Sequence, residues 1–573
     1  MKRGTYVTTQ QATIHALFLK HRSMSTVARQ LGVSQIRVRE ALVQYERNRL
    51  RDQGEKPPPL REMMLGEVVS RFCSPRPGVG GRPAKHVPIA RTSVERPLWR
   101  TVWSSNGTRF SPSQGTVTLA LPAAGAMRLV VTAVEPDAEV HRGFWSNLQA
   151  YARRVGAELV VIRLGQMGRI RGDERLRELS GIGTIVVGGT AVEIVGDFGP
   201  SQSGRPLDSP GLPRRATWTI VGHPAIQLET VARMRGDGLR MRITTGAVTK
   251  PRSRSPRQER RDVGAVIVEA GADGFAHCRH LLADADGNGA FNDLDVRVDA
   301  GAVTFGHRAA ALVFGDVHHA HLDAGVAAAT WGLGCRPEEA NQSLIERLRP
   351  AAMVFHDVCD FDARNHHDAK DPHRRFALLA TGRACVRTEF SRTANFLRES
   401  ARDWSESIVV QSNHDDALAR WLKEADFRQD PQNAEFFLEC SLALHRRLAA
   451  GLSGDGLFER TLRQQSLDGL PGVRFLATGE GLEIAGVQCG IHGHSAADGK
   501  RGSMAFFEGL GIRAVLGHNH RPTTRGGICT VGVCQTELEY ARGALTAWAV
   551  GHVVIHANGS RQHLIYDGGR FFA

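Results

Sequence analysis

Five times in the C-terminal half of this chain, an apolar, strand-like run stops abruptly at side chains able to bind a metal ion. Ala311–Phe314 leads into Gly315, Asp316 and His318, and Ala352–Phe355 leads into His356, Asp357 and Asp360. Ile408–Val410 leads into Ser412, Asn413, His414 and Asp415; Val487–Ile491 into His492 and His494; and Ala514–Leu516 into Gly517, His518 and His520. Short runs rich in β-branched residues are suited to buried strands. In open α/β sheets, sites form beyond the carboxyl ends of such strands. The repetition therefore predicts an α/β fold in which Asp, His and Asn side chains converge at strand ends.

The 573 residues exceed what one hydrophobic core supports, so two to four domains are expected. With 42% apolar and 23% charged residues, the chain has the composition of a globular protein rather than a disordered one. The net charge of +14 favours a polyanionic partner, nucleic acid above all, although a generally basic, Arg-rich proteome would give the same balance. Nine cysteines without any Cys-x-x-Cys pair argue against a disulfide framework and fit a reducing cytoplasm. The N-terminus lacks the apolar core of a signal peptide. The most apolar long stretch, 119–134, is broken by Pro122 and Arg128, so no membrane span is expected.

Residues 1–50 read as a helical module. Ser25 to Ser34 has the layout of a helix-turn-helix: Ala28 where helices approach closely, Gly32 for the turn, and Ser34 as a cap. Val38, Leu42 and Tyr45 would face its core, leaving Gln35, Arg37 and Arg39 outward, where a recognition helix meets base edges. The alternative is a helical hairpin used to form a homo-oligomer. Residues 51–125, punctuated by Pro57–Pro59 and Gly78–Gly81, read as a linker.

Residues 126–305 read as an α/β domain. Leu129–Ala133, then Phe144, Leu148, Ala152 and Val155 at helical spacing, then Leu159–Ile162, imply a parallel β-α-β unit, with Thr184–Val187 as a third strand. The basic run 250–261 is either a solvated linker or a nucleic-acid contact. Asp284 to Asp295 nearly fits a calcium loop, but Asp replaces the bidentate Glu and the flanks look like strands, so a hairpin turn is expected.

The ordered set of strand-end motifs resembles the calcineurin-like metallophosphoesterases over about 306–560, within a domain expected over 306–573: Asp-x-His, Asp-x-x-Asp, Asn-His, a further His, then Gly-His-x-His. That resemblance implies a C-terminal αββα sandwich, preceded by the β-α-β domain and the helix-turn-helix. It also implies two divalent metal ions, with Mn favoured and Fe or Zn as alternatives, since the ligands are oxygen and nitrogen without thiolate. Asp316, His318 and His520 would bind one ion, Asn413, His492 and His518 the other, and Asp357 would bridge them. His414 would contact the phosphate and assist the leaving oxygen, oriented by Asp360. Two such ions about 4 Å apart activate water and clamp phosphoryl oxygens. His356 and Ser412 stand where the family has glycine, which puts the local backbone geometry in question.

The motifs imply a reaction class without a substrate. The basic balance, the helix-turn-helix, Lys500 and Arg501, and Arg521 and Arg525 favour DNA; the segment from Arg364 to Arg375 is expected beside the second motif. Leu159–Ile162, Ile243–Thr249 and His492–Ser503 resemble the pre-early DNA-transfer proteins of T-five-like phages, over about 126–560. The expectation is a phage- or prophage-encoded, metal-dependent DNA nuclease in the bacterial cytoplasm. The alternatives are a phosphatase on a small molecule or protein, and a DNA-binding regulator with a scaffold phosphoesterase domain.

Overall fold

The computed structural model describes residues 8–21, 24–31, 33, 35–52, 99–100, 116–164, 171, 176, 184–195, 205–208, 212–213, 215–234, 236–251, 262–368, 371–497, 500–536 and 545–572. They fall into two compact units, Met1–Val94 and Glu95–Ala573.

The first unit holds three helices, Thr9–His21, Met24–Leu31 and Gln35–Asp52. Thr8 and Gln11 cap the first reciprocally: each side-chain oxygen accepts the other's backbone N–H, at 3.3 and 3.1 Å. Ile14, Val27, Ala28, Val38 and Leu42 form its small core. Tyr45 stacks on His15 with ring centroids 4.0 Å apart. Gly32, Ser34 and the side chains of Gln35, Arg37 and Arg39 lie outside the described residues.

The second unit is mixed α/β, and its strands form four sheets. Ala126–Val134 and Glu158–Arg163 pair in parallel, joined by the helix Arg142–Val155, which is the expected β-α-β unit. Phe144, Leu148 and Ala152 turn its apolar stripe inward. Thr184–Val187 does not continue that sheet. It pairs in parallel with Thr116–Leu119, a strand inside the expected linker, and joins an eleven-stranded sheet. Alternation identifies a strand, but its partner is chosen by long-range packing.

That eleven-stranded sheet also runs through the junction of Leu228–Thr230 with Thr523–Arg525. Segments 126–305 and 306–573 therefore share a sheet, and residue 305 marks no break in hydrogen bonding. The Asp284–Asp295 segment opens as a turn before the strand Phe291–Asp293, with Asp286 accepting the Asn288 N–H at 3.0 Å.

All five C-terminal apolar runs contain strands, split between two sheets. Glu406–Val409, Ala352–Phe355 and Ala311–Val313 are parallel neighbours in a six-stranded sheet. Val487–Gln488 and Ala514–Leu516 are parallel neighbours in the eleven-stranded one. Val313, Val354 and Ile408 pack against Val487, Val515 and Val531 in one apolar layer between the sheets. The alternate residues Leu312, Met353 and Phe355 face away and pack with Trp331, Phe390 and Leu462 of helices Ala324–Trp331, Val386–Ser400 and Leu457–Gln465. Both faces of these parallel strands are thus covered, and the strand ends of two sheets meet at one edge.

A buried ion network joins the six-stranded sheet to the five- and three-stranded ones. Arg279 lies 2.6 Å from Glu269 and 2.9 Å from Asp293. Tyr151 donates its hydroxyl hydrogen to Asp293, and Gln562 of the six-stranded sheet donates to it at 2.8 Å. Burial pushes the Asp293 carboxyl up, but Arg279 holds it below its ordinary value. Removing one partner from a buried pair leaves an uncompensated charge. Arg279→Ala should therefore lose about 3–5 kcal/mol of unfolding free energy, read from urea denaturation; a loss within measurement error would show that the network is dispensable.

Candidate metal centre

Three of the five strand ends turn sharply. His318, Asp357, His518 and His520 all have left-handed backbones, with φ of 44°, 45°, 71° and 55°. Such conformations cost roughly 1–3 kcal/mol each and cluster at functional sites. They belong to three of the five strand-end loops, whose side chains converge on one volume. Gly517 is needed at the centre: a Cβ there would lie 2.5 Å from Asp316 Oδ1 and 2.8 Å from His492 Nδ1.

Asp316, His318, Asp357 and His520 bring one ligand atom each within 4.8 Å of one another, and so do Asp357, His492 and His518. The two groups share Asp357. His520 Nε2 lies 3.1 Å from Asp316 Oδ2, and the His518 N–H donates to that same oxygen at 2.7 Å. His318 and His520 place their Nε2 atoms 3.0 Å apart, and His492 Nε2 lies 3.1 Å from Asp357 Oδ2. Asp316 Oδ1, Asp357 Oδ1 and Asn413 Oδ1 are buried without a hydrogen-bond partner. Buried polar atoms are normally paired, so three orphaned oxygens beside four imidazoles fit a site built for divalent cations.

The electrostatics agree. Burial would raise both carboxyls, yet Asp316 is held below its ordinary value by the His520 hydrogen bond, and Asp357 well below by the charges of His492 and His414. Burial pushes the His318 imidazole down, but its hydrogen bond to Asp360 carries it up to about 9. Burial and the charge of His492 push His518 down to about 4.

His414 stands beside His318, with ring centroids 4.9 Å apart. Asp360 does adjoin it, but not chiefly through its carboxylate. The backbone carbonyl of Asp360 lies 3.1 Å from His414 Nδ1, whereas its Oδ1 lies 3.5 Å away. The carboxylate sits closer to His318 Nδ1, at 3.1 Å, and to His321 Nε2, at 2.9 Å. A carboxylate on the distal nitrogen of a ligand imidazole fixes its ring and tautomer, so Asp360 is placed to orient His318 as well.

The two glycine replacements are accommodated without strain. Neither Ser412 nor His356 has a positive φ. Ser412 is fully buried; its Oγ accepts the His414 N–H at 3.2 Å, and its own N–H donates to Asp415 at 2.9 Å. The serine thus serves as the turn's internal acceptor. His356 is buried with its Nδ1 3.4 Å from His492 Nδ1, and burial pushes it down to about 4.

Several residues of this centre were not singled out from sequence. His321, three residues after His318, completes a further group with Asp360 and Asp362. Asp362 is held in turn by Arg374 at 2.8 Å and Arg383 at 2.6 Å. Burial pushes Glu389 up to about 7, and Asp415, which the sequence already marks, up to about 8. Trp548 packs on His520 with centroids 5.0 Å apart. His321 repeats the helical spacing of its neighbour and was detectable on that basis; Glu389 and Trp548 lie far away in sequence and were not. Lys500 and Arg501 are exposed on the loop after His494, which closes through the Gly502 N–H to the His494 carbonyl at 3.0 Å. A Cβ on Gly502 would lie 2.0 Å from the Gly493 oxygen, so this closure requires glycine.

A pH dependence follows. With His318 raised to about 9, its ion pair stabilises the metal-free protein fully below the unfolded histidine value of about 6.5 and is lost as pH rises through 9. A cation that takes His318 as a ligand would displace that proton at neutral pH, so its affinity should rise with pH up to about 9. Calorimetric Mn titrations at pH 7, in buffers of different ionisation enthalpy, should show proton release; none would contradict the assignment of His318.

No family model and no solved structure matches the chain. Protein A1 of Escherichia phage T5 is 30% identical over 524 residues, covering 86% of this chain and 89% of that protein. Residues 126–573 are a smaller share of the chain than 86%, so the similarity reaches further towards the N-terminus than the motifs of 126–560 implied. At this identity over most of both chains, the protein belongs to the family of the T5 Protein A1.

Proposed function

We propose that this protein is a metal-dependent phosphodiesterase that hydrolyses DNA, with a dinuclear centre of the calcineurin-like metallophosphoesterase kind. The observation that carries this reading is the pair of ligand groups sharing the buried carboxylate of Asp357. Asp316, His318 and His520 would hold one cation and Asn413, His492 and His518 the other. Mn is the first candidate, with Fe or Zn as alternatives. Bound there, two cations would supply Lewis acidity towards phosphoryl oxygens and lower the pKa of water.

The remaining roles fall to the chain itself. A carbonyl oxygen can only accept, so the contact with Asp360 places the His414 hydrogen on Nδ1. That leaves Nε2 as the nitrogen with which His414 handles a proton at the leaving oxygen. Asp360 steadies both His414 and His318, and Trp548 and Gly517 restrict the space around the ligands. DNA as substrate is supported by the +14 charge and by exposed Lys500 and Arg501. The three helices of 9–52 pack as a helix-turn-helix would, with Val27, Ala28, Val38 and Leu42 inside.

Purified protein with Mn should cleave plasmid DNA. Intact DNA alongside hydrolysis of a phosphomonoester would make it a phosphatase, and DNA binding without hydrolysis a regulator. Asp357→Ala should abolish both metal content and cleavage. His414→Ala should keep its metal but lose roughly 10²–10⁴-fold in kcat; unchanged cleavage by either variant would refute the site. Deleting residues 1–50 should weaken DNA binding and flatten its salt dependence while sparing hydrolysis of a small diester. Unchanged DNA affinity would instead assign those helices to oligomerisation.

A further inference from the structure

Beside the proposed catalytic residues lies a cavity of about 230 Å³, with Asn413 and His414 on one wall and Asn365, His366, His367 and Arg420 on the other. It is smaller than the roughly 300–1,000 Å³ of pockets that enclose drug-sized ligands. A single phosphate group and part of its sugar would fill it, whereas a stretch of duplex would not enter. This second wall is assembled from two separate places in the chain. His366 and His367 come from the segment after Asp360, with ring centroids 3.9 Å apart. Arg420 comes from the helix Asp416–Glu424, which follows His414 directly.

Arg420, which lines the cavity, differs from the arginines of the neighbouring segment 364–374 in one respect. Arg364 is paired with Asp430 at 2.5 Å, and Arg374 with Asp362 at 2.8 Å. Arg420 has no carboxylate within ion-pair distance among the described residues. Its Nη1 instead lies 3.0 and 3.1 Å from the two ring nitrogens of His366. A guanidinium held by an imidazole, half-buried and not neutralised by a carboxylate, is prepared for an oxyanion. Desolvation by burial, then the charges of His367 and Arg420, lower His366 below its ordinary value, which suits it to accept an Arg420 N–H rather than repel it.

We propose that this cavity is a subsite for the phosphodiester group adjacent to the one being cleaved, and that Arg420 is the residue that binds it. The inference rests on the phosphodiesterase reading and extends it. A polynucleotide places a second anion next to the scissile group, and a subsite for that anion separates nucleic acid from substrates with a single phosphate. Arg420 is then a specificity residue, contributing to substrates long enough to reach it.

The test compares a short oligodeoxynucleotide with bis(p-nitrophenyl) phosphate, which has no second phosphate, using full-length protein with Mn. In Arg420→Ala the ratio of kcat/KM on the oligonucleotide to kcat/KM on the small diester should fall about tenfold or more, the size of one charge-assisted hydrogen bond. Because both substrates report on the same folded fraction, partial misfolding cancels in this ratio. The slope of log kcat/KM against log salt on the oligonucleotide should flatten by about one in Arg420→Ala and be kept in Arg420→Lys, which retains the charge. A ratio and a salt slope equal to wild type would overturn the subsite while leaving the phosphodiesterase reading intact. Failure of the wild-type protein to hydrolyse either substrate would remove that reading and the subsite with it.

Discussion

Two carboxylates, Asp316 and Asp357, are buried side by side, and the C-terminal half is organised around compensating them. An isolated buried carboxylate is prohibitively costly unless it is paired or coordinates a metal. The chain answers with imidazoles from other strand ends: His520 against Asp316, and His492 and His318 against Asp357. Burial alone would raise both carboxyls and lower His318 and His492, and these contacts reverse each shift.

That arrangement depends on two sheets meeting at one edge. The apolar layer of Val313, Val354 and Ile408 against Val487, Val515 and Val531 holds the sheets face to face. Their parallel strands then end at the same level. The turns that follow adopt left-handed backbones at His318, Asp357, His518 and His520, conformations that packed surroundings must sustain. The buried network of Arg279, Asp293, Glu269 and Gln562 joins the six-stranded sheet to the five- and three-stranded sheets. Rigid strands bearing short, strained loops place side chains more precisely than long loops would.

Outside the two Asp and His groups that share Asp357, polar residues complete the centre in ways that depend on the fold. Asp360 engages His318 and His321 with its carboxylate and His414 with its carbonyl. Ser412 caps its own turn, and the backbone there stays out of the left-handed region. Arg420 and His366 meet beside His414, although 54 residues separate them in the chain.

Much of the centre was legible beforehand. Strand-like runs ending in Asp, His and Asn mark both the fold class and the residues that converge, since β patterning and metal-ligand chemistry are local properties of the chain. The β-α-β unit over 126–163 and its helix were legible for the same reason, from the spacing of Phe144, Leu148 and Ala152. What the sequence by itself determined, then, was which segments become strands and which side chains stand at their ends. Only the tertiary structure decided that the five runs divide between two sheets, that Thr184–Val187 leaves its neighbours for another sheet, and that His321, Glu389 and Trp548 complete the site. Those outcomes rest on pairings between residues far apart in sequence, where burial of whole strand faces, rather than any local preference, selects the partner.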